Sequence, residues 1–125
     1  MRFMVLVKAP KELDKQLESN PPSREELAAM GAFNDTLSRD GILLAAEGLR
    51  PTSEGVRMTF TAGKSSVIDG PFTESKEVIA GFWLLEARSQ KEIVERMMRA
   101  PFTRGESIEI RQVFLFDAEV AAGIA

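Results

Sequence analysis

The sequence predicts an α+β domain, a four-stranded antiparallel sheet with two helices on one face and an extra β-hairpin. Three observations carry this. Apolar runs of strand length alternate with two stretches of helical periodicity, giving the order β-α-β-hairpin-β-α-β. Each helical stretch opens on Ser-x-x-Glu, at Ser23/Glu26 and Ser89/Glu92. That spacing makes a capping box, in which the hydroxyl accepts from the third helical amide and the carboxylate reaches back. The segment Ala62-Gly63-Lys64 supplies a hairpin turn between two shorter strand-like runs.

Arg2 to Lys8 opens the chain as a buried strand, with Arg2, Met4, Leu6 and Lys8 on one face and Phe3, Val5 and Val7 on the other. Ala9 to Pro22 is expected as a loop, bounded by Pro10 and Pro21-Pro22, with a short helical turn over Lys11 to Ser19 and a length that suits a lid. Ser23 to Asp40 is a helix whose stripe is Leu27, Met30, Phe33 or Asn34, and Leu37, ended by Asp40-Gly41. Ile42 to Leu49 is the second strand, with Glu47 inside its apolar run. Val56 to Thr61 alternates as a half-exposed strand and returns over Ser65 to Ile68.

DGPFTESKE follows at 69–77, with Glu74, Lys76 and Glu77 on an expected helical turn. GFWLLEA, Gly81 to Ala87, is the third main strand. Ser89 to Ala100 is the second helix, with Ile93, Val94, Met97 and Met98 as its buried stripe and Pro101 as its stop. Ile108 to Phe116 is the last strand, and 118–125 are a tail of weak helical character beyond a domain of residues 1–117.

Two right-handed βαβ units in this order give the ferredoxin-like arrangement βαββαβ with an inserted hairpin. The first and last strands are apolar on both faces, yet two helices cover one face only. The other face calls for a partner, and sheet-to-sheet pairing with a second copy supplies it.

Composition narrows the chemistry. The 125 residues are 44% hydrophobic and 28% charged, with a net charge of −3 spread along the chain. That balance excludes the basic footprint of a nucleic-acid binder. There is no Cys and no His, which excludes disulfides, thiolate nucleophiles, Ser-His-Asp catalysis, His-ligated zinc and proximal-His haem. No Tyr offers a phenol. No Gly-rich phosphate loop or calcium-loop spacing occurs, so no cofactor or metal is expected. The opening MRFMVLVKAP is too short for a signal peptide or membrane span, so a cytoplasmic protein without a membrane partner is expected.

Acid–base work therefore falls to carboxylates, cations and hydroxyls. Asp69 is the first candidate, as a base or as an anchor for a cation at a strand end. The competing reading is an Asx-turn, with Gly70 at positive φ and Pro71 fixing the exit. Phe72 is expected to anchor that loop. Lys8, Glu47 and Arg111 are charges within strands, which need partners or a ligand if their face is covered. Glu47, Arg50, Glu86, Glu109 and Arg111 are the expected members of ion pairs in the sheet or across a dimer. Trp83 is either core or a ligand contact. The expected ligand set is thus Lys8, Glu47, Arg111, Phe72 and Trp83, with Asp69 as the catalytic candidate.

MRFMVLVKA, GILLAAEGLRP, DGPFTESKEVIAGFWLLEA and IEIRQVF together resemble the YCII-related proteins of the DGPF type, in order and spacing, up to about Phe116. The resemblance implies a dimeric α+β barrel with a pocket at the sheet face. It also implies an unestablished enzymatic role, or a regulatory context beside a sigma factor; an enzyme working through Asp69 is expected to be of lyase or isomerase type. The His/Asp pair suggested as catalytic in the wider superfamily does not transfer to a chain without His; only Asp69 matches a position of interest.

Overall fold

The computed structural model describes residues 1–114 and 123. Its main sheet has the order β2-β5-β1-β6, from β1 (Arg2–Pro10), β2 (Leu43–Gly48), β5 (Glu77–Glu86) and β6 (Ser107–Gln112). Every neighbouring pair is antiparallel. With α2 (Arg24–Arg39) and α3 (Gln90–Met97) as its crossovers, this is the ferredoxin-like α+β fold expected from the sequence. A short helix α1 (Lys11–Gln16) follows β1. The strands β3 (Val56–Thr61) and β4 (Lys64–Asp69) form a separate two-stranded ribbon between β2 and β5.

Strand alternation sorts the sheet into two faces. Phe3, Val5, Val7 and Ala9 are buried beneath the helices, while Met4, Leu6 and Lys8 stay half-buried on the opposite face. The inner core joins Phe3, Val5, Leu37, Ile42, Trp83, Leu85, Ile93 and Met97. Truncating a buried Leu in such a core costs about 2–5 kcal/mol. The two capping hydroxyls are in place, Ser23 accepting from the Glu26 amide at 3.1 Å and Ser89 from the Glu92 amide at 3.2 Å. The first box closes on itself through the Ser23 amide and Glu26, whereas Glu92 reaches the amide of Arg88.

Several expectations are corrected. The first strand runs on to Pro10 and a helix follows it, so the Ala9–Pro22 segment is mostly regular structure. The third main strand starts at Glu77, because β1 is long enough to pair Pro10 with it; no helical turn forms there. One residue of β5 is extra between the Val7–Gly81 and Lys8–Ile79 pairs, a bulge in the ladder. On the helices, Leu27 (61% exposed) and Met98 (77% exposed) lie outside the buried stripes. Leu27 sits in the first turn of α2 and Met98 is the residue that caps the end of α3. In β6, only Ile108 and Ile110 pack on the core. Glu109 and Arg111 occupy its other face, which is therefore charged where an apolar one was expected. Residues 115–116 of the expected last strand, and the tail apart from Gly123, lie outside the described residues.

Candidate functional site

A cleft of about 230 Å³ opens on the helix-covered face, between the β2–β5 end of the sheet and α2. Its origin is a missing pair of side chains. Gly48 and Gly81 stand opposite each other across β2 and β5. A Cβ on Gly81 would come within 2.8 Å of the Glu47 carbonyl, so this position holds two strands close together. A Cβ on Gly48 would meet nothing within 4 Å. The space above them is left to Trp83, Phe102, Met30 and Asn34, with Glu47 among the lining residues.

Trp83 is buried, and its ring meets Phe33 and Phe102 edge-to-face at centroid distances of 5.9 and 5.8 Å. Its indole N–H donates to Asn34 Oδ1 at 2.7 Å. Burying an indole with its N–H satisfied is the usual condition for a core Trp. One edge of this core residue still borders the cleft. Of the expected ligand contacts Glu47 and Trp83, only Trp83 turns its side chain to this face. Glu47 pairs with Phe82, so alternation sends its exposed side chain to the outer face and leaves its backbone at the cleft.

Lys8 and Arg111 belong elsewhere. Lys8 Nζ pairs with Glu109 Oε1 at 2.9 Å, and Arg111 lies 3.9 Å from the same carboxylate, on the outer face. The Glu109 hydrogen bond raises the Lys8 pKa, and Lys8 in turn lowers that of Glu109. Glu47, on the opposite edge strand, is three strand spacings from β6, about 14 Å. It has no ion-pair partner among the described residues. The other expected sheet charges pair locally, Arg50 with Glu54 and Glu86 with Arg2.

The DGPF loop is built differently from its expected Asx-turn. Asp69 ends β4 and is exposed, its side chain making no hydrogen bond among the described residues. Gly70 is not at positive φ; glycine is needed because a Cβ there would overlap the Thr52 carbonyl. The Gly70–Pro71 bond is cis, and the Gly70 amide donates to the Gly55 carbonyl at 2.9 Å. Phe72 does not reach the cleft. Its ring lies under the Arg57 guanidinium, 4.0 Å away, and Arg57 also pairs with Glu74.

The residue that fastens this region went unread in the sequence. Asp14, on α1, is the one buried charged residue among those described. Its two carboxylate oxygens accept from the amide and hydroxyl of Thr52, at 2.9 and 2.5 Å. The Thr52 hydroxyl accepts in turn from the Phe72 amide at 3.4 Å. A carboxylate in the run KELDKQ carries no local sign of a partner 38 positions later.

Fold and cleft together define a small ferredoxin-like α+β domain with an apolar recess between helix and sheet. The model of the YCII-related domain matches residues 1–117, and the chain belongs to that family. It is also 38% identical over 47 residues to an uncharacterised protein of Rhizobium meliloti (strain 1021), an alignment spanning 38% of this chain and 38% of that protein. Among the described residues no helix is long and apolar enough to cross a membrane.

Proposed function

We propose that this YCII-related protein is a homodimeric small-molecule-binding module. The single observation that carries the binding role is the recess above Gly48 and Gly81, walled by Trp83 and Phe102. Small-molecule sites are apolar recesses with a few placed polar groups, and this one has the Asn34 amide. The outer face of the sheet is the dimer contact. Met4, Leu6, Phe82 and Leu84 lie half-buried there with no helix over them, bordered by the Lys8–Glu109–Arg111 cluster. Two such faces packed together form the α+β barrel, as the family resemblance implies.

A lyase- or isomerase-type enzyme using Asp69 would need a recess beside that carboxylate. Asp69 does not line the recess, so the geometry described here favours the binding reading over one that uses that carboxylate. A role beside a sigma factor rests on no residue described above.

The test has two readouts. Sedimentation at micromolar concentration should give twice the 13.8 kDa chain mass, and Leu6→Glu, on the outer face, should shift it to the monomer. A stable wild-type monomer refutes the dimer. A thermal-shift screen should yield ligands that stabilise the wild type, a shift that grows with ligand saturation. In Gly48→Leu, which fills the recess, the shift should vanish. Hits that survive Gly48→Leu bind elsewhere and refute the recess as the site.

A further inference from the structure

We infer that the recess takes a neutral, single-ring aromatic ligand bearing one carbonyl oxygen, with the Asn34 amide as its hydrogen-bond donor. This deepens the binding reading above and rests on it. The orientation of Asn34 is set by chemistry. An indole N–H only donates, so the amide atom 2.7 Å from Trp83 Nε1 is the oxygen, and the NH2 is the other end. That NH2 has no acceptor among the described residues, and Asn34 lines the recess. A half-buried amide with an idle donor in an apolar recess selects a ligand oxygen.

Size and charge narrow the class. A cavity of about 150 Å³ holds benzene. The recess of about 230 Å³ holds one ring and a short substituent. Trp83 and Phe102 already meet edge-to-face, and a flat ring extends that packing. No Lys or Arg lines the recess, so a carboxylate ligand would be desolvated there without a partner, and the idle group is a donor, which opposes an ammonium. A neutral carbonyl satisfies both.

Trp83 is the only Trp, so the protein has one indole N–H signal, sited at the recess. The experiment titrates 15N-labelled full-length protein with acetophenone, toluene and benzoate and follows that signal. Acetophenone should shift it saturably, with an affinity roughly three- to tenfold above toluene, the worth of one hydrogen bond. Benzoate should bind no better than toluene. In Asn34→Asp, which still accepts from Trp83 but lacks the NH2, the preference for acetophenone over toluene should disappear. If that variant does not fold, the wild-type ratio decides alone. Equal affinity for toluene and acetophenone, or tighter benzoate, overturns the carbonyl class and leaves the recess standing. No saturable shift by any of the three overturns the recess itself.

Discussion

Glu26 does two jobs at once. It completes the capping box of α2 and pairs with Arg104, which also donates to the carbonyls of Asn20 and Pro21. The Arg104 hydrogen bond, then that from the Ser23 amide, lower the Glu26 pKa from 4.5 to about 2. A carboxyl whose folded pKa is depressed stabilises the fold above its unfolded pKa, and that stability is lost as pH falls through the folded value. Thermal melts of wild type and Glu26→Gln should therefore differ most above about pH 5 and converge towards pH 2. A gap that stays constant over that window would show that the charge on Glu26 is not what matters. Two glycines give a contrasting pair. Gly70→Ala pushes a methyl into the Thr52 carbonyl and should cost ~3 kcal/mol in urea denaturation, whereas Gly48→Ala enters open space and should fall within about 0.5 kcal/mol of wild type.

At the scale of elements, periodicity located every strand and helix of the main sheet, since each buries one regular face. It also placed the capping boxes, because those depend on residues three apart. What it could not place were consequences of pairing between distant segments. The start of β5 is decided by its register with Pro10, and the recess by the register that sets Gly48 against Gly81. Gly70 was legible as a special position, but for a different reason than the real one: the constraint is a neighbouring carbonyl and not its own dihedral angle. Asp14 was illegible because its partner is a loop residue far along the chain. The β3–β4 ribbon shows the reverse case. Its alternation was read correctly, yet Met58, Phe60 and Val67 are 50%, 75% and 61% exposed, since the strands pair only with each other in the sheet.

The whole molecule separates two roles that the sequence had put together. Lys8, Glu47, Arg111 and Trp83 were expected around one ligand, but the sheet puts the three charges on one face and Trp83 on the other. Lys8, Arg111 and, by its register with Phe82, Glu47 all lie on the outer face, while Trp83 lines the recess on the helix-covered face. This division makes the proposed dimer and the proposed ligand site independently breakable. A substitution that splits the dimer at Leu6 should leave the Trp83 indole signal responsive to ligand, and loss of both together would argue that the second copy shapes the recess.

The buried carboxylate of Asp14 has a consequence for the motions of the chain. It holds the amide of Thr52, a residue in a short turn that would otherwise exchange its proton with solvent almost freely. Thr52 should instead exchange slowly, on the scale of a strand amide, and its protection reports one opening event shared by α1 and the DGPF loop. Asp14→Ala should release Thr52 and Phe72 together, leaving the amides of β1 and β5 protected. If Thr52 exchanges fast in the wild type, the two segments open separately, and the loop carries its shape without help from the helix.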